Sequence, residues 1–203
     1  MSQKLYYVYD PMCAWCWGYR PTWKQIESEL SQHLEVEYVL GGLAADSDVP
    51  MPEDLQRTIA SYWQRIHDLL GTEFNFDFWS NNTPRRSTYP SCRAVLAARY
   101  QGKEKEMILA VQQAYYLQAL NPSDNSVLIG LAKDIGLDMA KFEADLLSES
   151  TKQALLDEIS FARSIGGNSF PSLFVRKDNR LHELPINYQD AKETVAQVLK
   201  IIT

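Results

Sequence analysis

The chain has 203 residues, 45% of them hydrophobic and 23% charged, with a formal net charge of −6. That composition suits a folded domain with a sizeable core and excludes a disordered chain. The acidic balance, without a long basic run or an apolar stretch near the ~18 residues of a membrane span, argues against nucleic acid and membrane as partners.

The opening "MSQKLYYVYD" has no basic segment, apolar stretch or small-residue cleavage site, so read from Met1 it carries no secretory signal and the expected location is the cytoplasm. The segment 4–10, β-branched and aromatic, reads as a strand ending at the turn signal Asp10-Pro11. A helical pattern follows from about Cys13 or Trp15 to Leu34. Pro21 lies inside it and predicts a kink or break, because its ring removes a backbone donor. Residues 35–43, closed by Gly41-Gly42, read as a second strand, so the first forty residues make a βαβ unit.

Helical periodicity then runs from about Pro52 to Ile165. Leu55, Ile59, Tyr62, Trp63, Ile66 and Leu70 predict one apolar face, with Gly71 as a stop. The stretch 74–90 is loop-like, with alternate aromatics that suggest a short extended piece. Helices are predicted near 90–101, 104–120, 124–135, 138–148 and 151–165. The strand signal returns at 172–177 and 180–186, joined by Asp178-Asn179 as a hairpin. An amphipathic helix ends the chain, with Asn187 as its expected cap and Ala191, Val195, Val198, Leu199 and Ile202 as its buried stripe. The expected fold is α/β, β-α-β … β-β-α with a large all-helical insertion. Residues 1–45 and 166–203, with the adjoining helix 151–165, form one domain; residues 46–150 form the inserted helical domain.

Two of the three cysteines, Cys13 and Cys16, stand two residues apart at the junction of the first strand and helix. Thiol–disulfide exchange needs a thiolate, and a free cysteine with pKa about 8.5 is only a few per cent ionised at neutral pH. A sulfur at a helix N-terminus meets unpaired N–H groups and the positive end of the helix dipole, which favours the anion. Cys13 therefore reads as the nucleophile, and Cys16, one turn further in, as the thiol that resolves a mixed disulfide. Two alternatives stand beside this reading. A zinc site would need four ligands, and Cys92, His33, His67 and His182 form no second close pair. Two inert core thiols would fit the burial habit of cysteine, but not the turn signal and the tryptophans around them. Further along, "GGNSFPSLFV" places Pro171 directly before an apolar strand; on base rates alone that peptide would be trans.

Asp10-Pro11-Met12-Cys13-Ala14-Trp15-Cys16-Trp17-Gly18, with Ser169-Phe170-Pro171-Ser172 far downstream, resembles the DsbA-like branch of the thioredoxin superfamily, in particular the FrnE-like disulfide oxidoreductases or isomerases. The likeness spans nearly the whole chain. It implies that Cys13 is the surface nucleophile, Cys16 the resolving cysteine and Pro171 a cis-proline beside them. Ala14, Trp15, Phe170 and Pro171 are then the residues that meet substrate. In one respect the sequence departs from strongly oxidising members: Ala14-Trp15 between the cysteines includes no histidine, so an imidazolium beside Cys13 is missing. A milder oxidoreductase is expected.

Other residues carry weaker signals. Asp10 reads either as a proton relay for Cys16 or as a carboxylate capping the turn. Trp15 is expected to be exposed and able to grip an apolar peptide, and Trp23 to be core. Cys92 reads as a buried, inert thiol. Arg85-Arg86 reads as a solvated pair that could meet an acidic substrate such as glutathione.

The expected function is a thiol–disulfide oxidoreductase for protein or small-molecule disulfides. Reduction or isomerisation is favoured, because a cytoplasmic thiol pool keeps most dithiols reduced. No cofactor or metal is expected beyond the redox-active dithiol. Expected partners are peptide or protein thiols and disulfides, with glutathione or a thioredoxin-type protein as candidate reductants. The alternatives are an enzyme resembling kappa-class glutathione transferases and chromene-carboxylate isomerases, against which Cys13 and Cys16 both speak, and a non-catalytic peptide-binding holdase.

Overall fold

In the computed structural model, which describes residues 3–203, four strands form one sheet in the order β2-β1-β3-β4. Residues 1 and 2, with which the segment assigned 1–45 begins, lie outside the described residues. β1 (Lys4–Tyr9) pairs in parallel with β2 (Glu35–Leu40) and antiparallel with β3 (Ser172–Lys177), which pairs antiparallel with β4 (Arg180–Leu184). β1 is apolar at nearly every position because both of its faces are covered. Leu5, Tyr7 and Tyr9 join the main apolar cluster, whereas Tyr6 and Val8 pack with Val39, Ala162, Ile165 and Phe174 on the opposite side. The period of two that a strand imposes thus sends alternate residues into two layers.

The parallel crossover between β1 and β2 is α1 (Ala14–Leu30), packed against the last helix, α9 (Ala191–Ile202). Of the kink or break expected at Pro21, the break does not occur: α1 runs through Pro21. Pro21 is exposed while Tyr19, Thr22, Trp23 and Ile26 are buried, so the lost hydrogen bond falls on the solvent face, where water can satisfy the freed carbonyl. The buried face holds the helix together across it. α9 is capped by Asp190, whose carboxylate accepts from the N–H groups of Lys192 and Glu193. Asn187, expected as the cap, instead accepts from the N–H groups of Gln189 and Asp190 in a turn just before it.

Between β2 and β3 lie α2 (Glu53–Leu70), α3 (Phe78–Asn81), α4 (Tyr89–Arg99), α5 (Glu104–Tyr116), α6 (Asn125–Asp134), α7 (Met139–Leu147) and α8 (Glu149–Ser164). α2 ends at Gly71, whose φ of +69° is the left-handed conformation that favours glycine. The aromatics of 74–79 form no extended piece. Phe74, Phe76, Phe78 and Trp79 gather around the buried Trp63, with ring centroids 4.9 to 5.9 Å away. Phe78 is buried, a gain of about 1.5–3 kcal/mol for a ring of that size. Phe74 and Trp79 are half-buried and Phe76 stays exposed, and residues 78–81 form a short helix. α4 is the hub of the block, buried from Pro90 to Ala98 and packed on α5, α6, α7 and α8. α8 also packs on β2, where the Glu158 carboxylate accepts from Leu40 N–H at 2.7 Å and pairs with Arg99.

Candidate active site around Cys13 and Cys16

The C-terminal end of a strand, opening into a helix N-terminus, is where open α/β sheets place their ligands. Here β1 runs into Asp10, and the chain turns so that the Cys13 N–H donates to the Asp10 carbonyl at 3.0 Å. Cys13 is the extended residue that begins α1, its carbonyl accepting from Trp17 N–H at 3.1 Å. No side chain caps this end, so the first-turn N–H groups remain available to a negative charge on the sulfur. Cys13 is 6% exposed and Cys16 is fully buried, and both are free thiols. Cys13 therefore reaches solvent only by an edge. Burial, followed by the adjacent Cys13 sulfur, pushes the Cys16 thiol well above its ordinary value. The pair is thus asymmetric: one thiol stands at the helix end, the other is held protonated behind it.

The antiparallel register pairs Val8 with Ser172 and so brings the Phe170–Pro171 segment to the same end of the sheet. That peptide bond is cis, as the family resemblance implied and the base rate did not. The Cys13 Sγ donates to the Phe170 carbonyl at 3.5 Å. Phe170 is itself positioned by close packing. A Cβ on Gly41 would lie 1.9 Å from the Phe170 ring, and the Arg163 guanidinium sits 5.3 Å from the ring centroid. Arg163 also donates to the carbonyls of Gly41 and Gly167.

Below the dithiol lies a carboxylate that the sequence left undecided between two roles. Asp10 is fully buried. Its Oδ1 accepts from Met12 N–H at 2.8 Å; its Oδ2 accepts from Leu43 N–H and the Thr88 hydroxyl, both at 2.7 Å, and from the Cys92 thiol at 3.5 Å. Burial raises its pKa, and these donors offset only part of that rise. Asp10 therefore caps the turn, and it also ties β1 to α4. Cys92 is buried as expected, yet it is a hydrogen-bond donor to this carboxylate and not a mere filler. Thr88 and Cys92 escaped the sequence reading because nothing local links them to Asp10 across 78 and 82 residues.

A groove of about 400 Å³ opens beside Cys13. Met12, Ala14, Trp15, Leu43 and Asn168 to Phe170 line it, together with Leu55, Ile59 and Tyr62 of α2. Trp15 is half-buried, not free in solvent: its ring lies 5.2 Å from that of Tyr188, with the Arg65 guanidinium 5.9 Å from its centroid. Trp23 is in the core. The neighbouring arginines divide, contrary to the reading as a solvated pair. Arg85 pairs with Asp124 and donates to the Ser123 carbonyl, while exposed Arg86 lines the groove. A second cavity of about 290 Å³, walled by Tyr7, Tyr9, Trp23 and Tyr38, reaches Cys16 from elsewhere. It contacts neither Cys13 nor Phe170, so the groove is the candidate site. Among the described residues no group of three His, Cys, Asp or Glu side chains is placed to hold a metal ion, and no helix is long and apolar enough to cross a membrane.

Solved structures share this architecture. A candidate protein disulfide isomerase from Nitrosomonas europaea superposes with a TM-score of 0.85 at 28% identity, covering 99% of this chain and 97% of that one. The cytosolic disulfide reductase DsbM from Pseudomonas aeruginosa gives 0.75 at 26% identity over 97% and 94%, and has also been solved with GSH. Among curated relatives, the ClpXP adapter protein SpxH of Halalkalibacterium halodurans is 23% identical over 87% of this chain. The chain spans about three-fifths of the length of that relative, 59%. The sequence pattern described as thioredoxin matches residues 6–195. With that match over most of its length and a fold shared with DsbA-like structures, the chain belongs to the thioredoxin family.

Proposed function

We propose that the protein is a thiol–disulfide oxidoreductase in which Cys13 attacks and Cys16 resolves. One observation carries the reading: Cys13 starts a helix with its sulfur 3.5 Å from the Phe170 carbonyl, while Cys16 is sealed behind it. The Cys13 thiolate attacks a substrate disulfide, forming a mixed disulfide and releasing one thiolate. Cys16 then loses its proton and attacks the Cys13 sulfur, releasing the second thiolate. Two electrons pass to the substrate, and a Cys13–Cys16 disulfide remains. Cys16 cannot act until it is deprotonated, and the charge of buried Asp10 opposes that loss, so a proton on Asp10 would ease it. Ala14, Trp15, Phe170 and Pro171 flank the reacting sulfur and would contact the substrate.

The reductive or isomerising direction is favoured in a cytoplasmic setting, and the likeness to a cytosolic disulfide reductase supports that location. Glutathione or a thioredoxin-type protein would return the dithiol to its reduced form; the dithiol needs no other cofactor. A Cys16→Ser variant should accumulate mixed disulfides on Cys13, visible as thiol-reversible mass additions. Failure to trap any would remove the roles assigned here.

The SpxH relatives favour a second reading, a protein-binding adapter. It predicts binding that persists when both cysteines become serine, whereas the oxidoreductase loses turnover.

A further inference from the structure

We infer that Arg86 makes the groove beside Cys13 selective for acidic peptide disulfides, its guanidinium taking a substrate carboxylate. This rests on the oxidoreductase reading above and adds the substrate class. The chain carries 26 acidic and 20 basic residues, yet none of the residues lining the groove is a carboxylate, and Arg86 is its one arginine or lysine. An acidic protein that reserves a positive charge for the space beside its nucleophile is suited to an anion.

The second observation is that Arg86 is uncommitted. Arg85 is held by Asp124 and the Ser123 carbonyl. Among the described residues Arg86 has no ion-pair or side-chain hydrogen-bond partner. A guanidinium presents its donors as a rigid planar fork that matches a carboxylate with two parallel bonds. Apolar walls beside it weaken solvent screening of that pair. Tyr62, 47% exposed on α2, and its neighbour Ile59 leave such a wall facing the groove.

Size and polarity select the rest of the ligand. About 400 Å³ falls within the range of small-ligand pockets, roughly 300–1,000 Å³. A short peptide fits that space better than the broad face of a folded protein does. Its sulfur meets Cys13 near the Phe170 carbonyl, its apolar or methylene portions lie along Ile59 and Tyr62, and its carboxylate reaches Arg86. For such a disulfide RSSR the reaction is protein dithiol plus RSSR giving protein disulfide plus two RSH. Both electrons come from the protein, so a single turnover needs no other reductant.

The test is single-turnover oxidation of the reduced full chain, quenched in acid and read by alkylation and mass. Glutathione disulfide is the anionic probe, hydroxyethyl disulfide the neutral one and cystamine the cationic one. In Arg86→Gln the rate ratio of glutathione disulfide to hydroxyethyl disulfide should fall roughly fivefold, the scale of one partly screened ion pair. The ratio for cystamine should move the other way. Arg86→Lys should retain part of the ratio, and 1 M salt should shrink it in the parent protein. A ratio unchanged in Arg86→Gln, or equal loss on all three disulfides, overturns the inference while leaving the oxidoreductase reading intact. If the parent protein reacts with none of the three, that reading fails and the inference fails with it.

Discussion

Residues 10–16 and residues 85–92 both build the surroundings of one carboxylate, the first along the chain and the second across it. In the first segment, strand, turn and helix succeed one another, so Asp10, Cys13 and Cys16 are placed by local geometry. In the second, Arg86 lines the groove, Thr88 donates to Asp10 and Cys92 donates to it from one turn into α4. The local segment supplies the reacting sulfurs. The distant one supplies the field and the shape around them. The difference teaches that substitutions in the two segments should fail differently, one by losing the reaction and the other by altering its conditions.

The largest expected effect breaks the comparison on the local side. Cys13→Ala should drop disulfide reduction to the uncatalysed background while the fold, followed by circular dichroism, persists. Next comes Asp10, where the two segments meet. Removing its carboxylate in Asp10→Ala would leave the donors of Met12, Leu43 and Thr88 without their acceptor, a cost of about 2–4 kcal/mol in denaturant unfolding. Its titration gives a signed prediction. Burial raises the folded-state pKa of Asp10 above the ordinary 3.8, so between those two values the folded state holds the extra proton. Stability contributed by this group therefore falls as pH rises through that window. Unfolding curves from pH 3.5 upward should show that slope in the parent protein and a flatter profile in Asp10→Asn.

Thr88→Val tests the distant side at nearly constant shape. It removes one donor to the carboxylate and the acceptor of the Ala44 N–H, and should cost about 2 kcal/mol. The nucleophile is untouched, so single-turnover disulfide reduction should survive. The smallest effect is expected from Gly41→Ala, whose added methyl would collide with the Phe170 ring. Displacing that ring shifts the carbonyl near Cys13, and the reaction should slow severalfold with a change of about 1 kcal/mol or less in stability.

How far the sequence reveals this arrangement follows the same division. The βαβ unit, the terminal hairpin and the helical block are legible because strand and helix periods are local signals. The CxxC at the strand–helix junction is legible for the same reason. Pro21 does not interrupt α1, because propensity cannot tell a solvent face from a buried one and α1 keeps Pro21 on the former. Asn187 and Asp190 are both competent caps three residues apart, and the fold uses one for the turn and the other for the helix. The aromatic stretch after Gly71 alternates like a strand, yet Trp63 draws those rings inward. The Asp10, Thr88 and Cys92 contacts exist only once sheet and α4 are docked, so no spacing announces them. The division between Arg85 and Arg86 likewise depends on Asp124, 39 residues away.

The most direct test of the central claim is the redox titration of the Cys13–Cys16 couple. The protein is equilibrated across glutathione buffers of graded poise, its free thiols are alkylated, and the mass is read. The account predicts one smooth two-electron transition confined to Cys13 and Cys16, with Cys92 alkylated after denaturation at every poise. A midpoint near about −270 mV would mark a thioredoxin-like reductant, and one near about −120 mV a DsbA-like oxidant. If no disulfide forms between Cys13 and Cys16 at any poise, the pair is not a redox centre and the account is wrong.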